Sequence, residues 1–105
     1  MVLYNVTVSI EKTVEQEWLT WMINDHVPKV LATGCFLENR LLKMQNEEPG
    51  NDATYASQYL CKSQASYDEY LANFAQEMQK HHNDAYEGKF AAFRTILDVI
   101  EIIKP

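Results

Sequence analysis

The chain of 105 residues is sparing with the residues that break structure. It has three glycines and three prolines, too few for a low-complexity or collagen-like chain. Two cysteines, Cys35 and Cys61, cannot make a disulfide framework, and they lie too far apart in sequence for a zinc knuckle. No apolar run approaches the length of a membrane span. Basic residues are outnumbered, nine against fifteen acidic, for a net charge of −6. A polyanion is therefore repelled, and we expect neither nucleic acid nor an anionic membrane as partner. The first residues, "MVLYNVTVSIEK", lack the basic start and apolar stretch of a signal peptide. A cytoplasmic protein with reduced thiols is the expectation.

What is present reads as one domain over residues 1–105. The few glycines fall at junctions. Gly34 and Gly88 each follow a helical pattern, where a left-handed cap is expected. Gly50 lies in "EEPGND", the strongest turn signal of the chain. Between them, 2–10 ("VLYNVTVSI") is rich in β-branched residues and reads as a strand. Thr13 and Gln16 have the spacing of a capping box, opening a helix over "VEQEWLTWMINDH". Pro28 disfavours helical geometry at Val27, so a break is predicted before a short second piece, "PKVLAT". Strands follow at 35–45 and 54–62. A single helix over about 64–87, capped by Ser63 or Ser66, leads to a final strand over 89–103. The order βαββαβ is the α+β, ferredoxin-like arrangement, a four-stranded antiparallel sheet with two helices on one face.

Alternation in the strands leaves neither face of the sheet clean of apolar residues. A turn centred on Pro49-Gly50 sets Arg40 opposite Tyr59, Leu42 opposite Ser57 and Met44 opposite Tyr55, all on one face. Two helices cover only one side, and the other is a larger apolar patch than a soluble monomer usually shows. A second copy packed sheet to sheet repairs this, with "VIEII" reaching across. The expectation is a homodimer forming an α+β barrel.

The strings "YNVTV", "WxxWMxxxHVPxVxxTGxF", "TYxxQY" and "KFxAFRT" resemble a family of short bacterial proteins of unknown function. That family is similar to the dimeric α+β-barrel superfamily of antibiotic-biosynthesis-type monooxygenases, chlorite-dismutase-like and EthD-like proteins. The resemblance spans nearly the whole chain. It implies the fold and the dimer, and brings no catalytic residues to carry over. Heme-degrading members of the superfamily use an Asn on the first strand and a His on the second helix. Asn5 and His81 or His82 match them in residue type alone, so no cofactor, heme included, is expected.

The residues themselves offer candidates. At about 100° per residue, Trp18, Met22 and His26 share a helix face, with Gln16, Glu17, Thr20 and Asn24 opposite. His26 is therefore on the covered side. It is a general base or proton shuttle, or else a structural group whose ring bonds a carbonyl freed at the Pro28 break or whose charge complements the helix C-terminal dipole. Arg40 and Arg94, both mid-strand, could clamp a carboxylate or pair with nearby acids. Asn5, Trp21, Tyr55 and Tyr59 complete a candidate ligand-binding set, and Tyr4 is a further aromatic candidate. On the second helix, Tyr67, Leu71, Phe74, Met78 and Ala85 form a stripe that His81 and His82 flank. Adjacent histidines diverge too far to hold one ion, and no metal site is expected. Three uses remain open: binding of a small, partly aromatic ligand between helices and sheet, a cofactor-independent monooxygenase or isomerase reaction with His26 as base, or an interaction module without a ligand.

Overall fold

A computed structural model describes residues 1–45 and 49–105. Its elements run β1 (Val2–Glu11), a short 3-10 turn (Lys12–Val14), α1 (Glu15–Trp21), a π turn (Met22–His26), α2 (Val27–Leu31), β2 (Glu38–Lys43), β3 (Asp52–Cys61), α3 (Gln64–Asn73), α4 (Ala75–Tyr86) and β4 (Phe90–Asp98). The strands form one antiparallel sheet in the order β2-β3-β1-β4, the ferredoxin-like arrangement expected. Gly34 and Gly88 sit at φ +80° and +76°, where an L side chain is strained, so each ends its helix as the spacing predicts. Ser63 caps α3 by accepting from the Ser66 amide.

The register sorts side chains onto two faces. Val2, Tyr4, Val6, Val8 and Ile10 of β1 align with Cys61, Tyr59, Ser57, Tyr55 and Ala53 of β3. These are mostly buried under the helices, together with Trp18, Met22 and Val30. The opposite face carries Leu3, Asn5, Thr7 and Ser9 with their partners Leu97, Thr95, Phe93 and Ala91. There Phe93 is 64% exposed and Leu97 and Leu42 are each 46% exposed, so the described residues of the single chain leave this apolar face uncovered.

Several expectations need correction. Arg40 lies opposite Gln58, not Tyr59, and Leu41 and Lys43, not Leu42 and Met44, face Ser57 and Tyr55. The connection is centred on Pro49 instead of between Pro49 and Gly50, and a shift of one residue turns a whole strand over. The predicted Pro-Gly turn lies partly outside the described residues, but Gly50 is not in the left-handed region. The capping box is absent: Lys12–Val14 form a 3-10 turn and Val14, without a side-chain bond, precedes α1. The final strand stops at Asp98. Val2 is its last partner, and past the bond from the Val99 amide to the Met1 carbonyl no strand among the described residues lies alongside to pair with. Ile100, Ile102 and Ile103 are left exposed.

The other two corrections concern the helices. Pro28 does not break the first helix, since Val27 keeps φ −62° and ψ −47° and its amide bonds the Met22 carbonyl five residues back. Proline has no N–H for the Asn24 carbonyl and its ring crowds that group, and one widened turn relieves both without ending the helix. The second helix is two pieces. Phe74, at φ −132° and ψ −27°, separates α3 from α4. The break resets the phase, so the buried stripe is Tyr67, Tyr70, Ala75, Met78, His82 and Tyr86, while Leu71 and Ala85 are exposed.

Candidate functional site

The π turn and α4 bring all three histidines together. A π turn sets residues five apart on neighbouring positions, and Trp21 stacks on His26 at 5.1 Å between ring centroids. His81 stacks on the same indole at 5.0 Å. The His26 and His81 rings are within 9° of parallel, and their Nδ1 atoms are 2.9 Å apart, one donating and the other accepting. His26 is thus buried on the covered side, as its helical position predicts, but its partner is His81 and not a freed carbonyl.

His82 points into the fold between α4 and the sheet. Its Nε2 lies 3.0 Å from Nε1 of the fully buried Trp18. An indole N–H only donates, so Nε2 accepts and the neutral ring carries its proton on Nδ1. Phe90 meets the same ring edge-on at 4.3 Å.

Between these helices and the sheet lies a cavity of about 40 Å³. His26 and Met22 from the π turn, Gln79 and His82 from α4, and Tyr4, Ser57, Tyr59 and Arg94 from the strands all line it, with Tyr70 of α3 and several aliphatic side chains. Arg94, exposed on the edge strand β4, stands at the rim and donates from Nε to the Tyr4 hydroxyl at 3.1 Å. Tyr4 also stacks on Tyr59 at 5.9 Å.

Burial sets the protonation states. Desolvation, then His82, His81 and Lys29, depresses His26 to about 3. Desolvation, then Arg94 and His81, depresses His82 to about 4. Both rings are neutral at physiological pH. Burial pushes the Tyr59 phenol up to about 12 and raises those of Tyr70 and Tyr4, the latter against the pull of Arg94. The chamber is therefore uncharged inside, with hydrogen-bonding groups of both kinds and a cation at its edge.

Of the residues the sequence singles out, His26, Tyr4, Tyr59 and Arg94 line this cavity, and Trp21 braces His26 from outside. Tyr55 shares the covered face but packs on Trp18 at 5.0 Å and donates to Glu15 at 2.5 Å, away from the cavity. Asn5 and Arg40 are on the opposite face. Asn5 donates to Thr7 at 3.1 Å, and Arg40 pairs with Glu38 at 3.0 Å in solvent. Neither can join Arg94 in a clamp. His82, Gln79 and Tyr70 were missing from the sequence-based set. Placing Met78 and Tyr86 on one stripe would have put His82 between them. Among the described residues no group of three or more His, Cys, Asp or Glu could hold a metal ion, and no helix is long and apolar enough to cross a membrane. Both cysteines are buried and free.

The architecture and the chamber under its helices define a ferredoxin-like α+β protein. Solved structures share the fold across the whole chain at low identity. A dimeric ferredoxin-like protein from an uncultured marine organism superposes with a TM-score of 0.74 at 14% identity, covering 97% of each chain. An EthD family protein from Bacillus halodurans gives 0.67 at 9%, covering 95% of this chain and all of that one. The heme-degrader MhuD from Mycobacterium tuberculosis, with two hemes bound in its active site, gives 0.63 at 12%, covering 99% and 100%. Identities this low carry the fold alone. No curated protein sequence matches the chain. Residues 1–100 match the family model described as a domain of unknown function, DUF4286, and the chain belongs to that family. The expected membership in a small family of unknown function with this fold is thereby met.

Proposed function

We propose that this protein is a homodimer that binds a small, partly aromatic molecule in the cleft between helices and sheet. The observation that carries the ligand is the buried chamber in which His26, His82, Tyr4 and Gln79 converge beside the Arg94 cation. Polar groups cost free energy to bury unless something satisfies them, and a core needing only to be filled would hold apolar side chains instead. The cavity of about 40 Å³ admits a few waters, so a larger molecule enters only as rim side chains, Arg94 and Gln79 foremost, swing aside. An aromatic carboxylate suits the site, its charge at Arg94 and its ring among Tyr4, Tyr59 and Tyr70.

Screening aromatic acids by NMR tests this. Shifts are expected at His26, His82 and Tyr4, and they should vanish in Arg94→Ala. A library that leaves those signals unmoved removes the ligand reading. Hemin is expected to give no saturable Soret band, because each histidine is already engaged, His82 by Trp18 and the other two by each other. A stoichiometric band lost in a His81→Ala or His82→Ala variant would promote heme over an organic acid.

The dimer reading rests on the uncovered sheet face, where Leu42, Phe93 and Leu97 share one surface, and on the dimeric state named for the marine ferredoxin-like protein. Sedimentation equilibrium should give twice the 12.2 kDa chain mass. A Phe93→Asp substitution buries an unpaired carboxylate in that interface, at a cost of several kcal/mol, and is expected to yield monomers. A monomeric parent would remove the dimer.

A second reading has one observation of its own. The His26–His81 contact gives a buried imidazole on the cavity wall a partner for its far nitrogen, which favours a cofactor-independent oxygenase or isomerase with His26 as base.

A further inference from the structure

We propose that His26 and His81 form a two-imidazole proton relay that joins the cavity to solvent. This deepens the reading in which His26 acts as base. The Nδ1 atoms of the two rings share one hydrogen at 2.9 Å. His26 lines the cavity, and its only other polar ring atom is Nε2. His81 is absent from the cavity wall and half-buried at the surface of α4. One imidazole therefore belongs to the chamber, the other to the boundary, and a single hydrogen bond connects them.

The relay moves a proton without leaving a buried imidazolium behind. In the starting tautomers His26 carries its hydrogen on Nδ1 and donates it to Nδ1 of His81, whose hydrogen is on Nε2. A C–H or O–H bond of a molecule in the cavity breaks, and its proton goes to Nε2 of His26. The Nδ1 hydrogen crosses to His81, and the Nε2 hydrogen of His81 leaves to water. The electron pair stays on the bound molecule as an anion, which Arg94 at the rim can face. Both rings end neutral with tautomers exchanged, and the reverse sequence resets them. A lone imidazole here would serve poorly as a base. Desolvation, His82 and His81 of α4 and Lys29 of α2 all oppose its cationic form, and Arg94 of β4 adds to the field at His82. Export of the proton as it arrives avoids that form. Trp21, stacked on both imidazoles, holds the pair in line.

The test uses the ligand-free protein, so it stands or falls separately from the search for a ligand. Long-range 1H–15N correlations of uniformly 15N-labelled protein should show complementary tautomers for His26 and His81, with a coupling between the two Nδ1 nuclei across the shared hydrogen. His81→Phe keeps a ring on Trp21 and removes the nitrogen. Exchange of the His26 ring hydrogen with solvent should then slow by roughly 100-fold. A purely structural bond predicts no such slowing. Unchanged exchange in His81→Phe overturns the relay. If that variant fails to fold, two Nε2–H tautomers in the parent, leaving no hydrogen between the Nδ1 atoms, overturn it equally.

Discussion

Acidification from pH 7 to about 4 is expected to unfold the protein, with the loss of stability beginning near pH 6.5, well above the range in which carboxylates titrate. His26 and His82 are held neutral in the fold, at about 3 and about 4, against 6.5 when free. A base whose folded value is depressed stabilises the fold fully only above its unfolded value. As the pH falls below 6.5, the unfolded chain takes up two protons that the folded chain refuses. Stability then drops by about 1.4 kcal/mol per pH unit for each histidine. The two slopes act together down to about pH 4, where His82 begins to charge in place, and His26 continues towards 3. Across that window the loss is several kcal/mol, comparable to the whole stability of an ordinary small domain. Urea midpoints measured between pH 8 and pH 4 should be flat above 7 and fall steeply below 6.5. A midpoint unchanged from pH 7 to pH 5 would falsify the neutral burial of the pair. His82→Gln should keep the fall but reduce its slope by about half.

The fold was legible because its signals are local. Gly34 and Gly88 end helices through their own backbone preference, and β1 alternates so regularly that Val2, Tyr4, Val6, Val8 and Ile10 declare the covered face. The same alternation put Asn5 on the other face, and counting parity from Tyr4 would have kept it out of the ligand-binding set in which it was included. The face of the first helical segment was legible too, since across α1 and the π turn Trp18, Met22 and His26 are all buried and Gln16, Glu17, Thr20 and Asn24 all exposed.

What escaped depends on single-residue shifts. The centre of the β2–β3 connection decides which face Arg40 takes, and the string "EEPGND" specifies a turn without specifying its centre. Phe74 interrupts a helical pattern that contains no proline or glycine to mark the interruption, and that phase change turns His82 inward. The two contacts that build the site, Trp18–His82 and His26–His81, join residues 64 and 55 apart in sequence. No periodicity within one helix reports on them. Only the packing of the first helical segment across α4 makes them neighbours, and the π turn that aims His26 is a response to Pro28 that a rule about helix ends does not contain.

Replacing Trp18 should have the largest effect of any single substitution in the chain. The side chain is completely buried and packs between Tyr55, at 5.0 Å, and His82. Truncation to Ala removes a large apolar surface and leaves a cavity, costing about 3–5 kcal/mol. It also strips the donor from His82 Nε2, and a buried acceptor left unpaired adds about 1–3 kcal/mol. Together these approach the total stability of a domain this size, so Trp18→Ala is expected to be unfolded or molten at 25 °C. Trp18→Phe separates the two contributions. It retains most of the packing, loses the N–H, and should cost mainly the unpaired acceptor. Chemical denaturation of Trp18→Phe, His82→Phe and the double variant closes a cycle, and a coupling of about 0.5–3 kcal/mol is expected for residues in direct contact. With no indole donor, the His82 ring is also free to move its proton to Nε2, which a 15N spectrum of Trp18→Phe will show. A Trp18→Phe protein as stable as the parent, with the proton still on Nδ1, would mean that something other than Trp18 fixes this imidazole. The chamber's donors and acceptors would then have to be assigned afresh from the Nε2 side of His82.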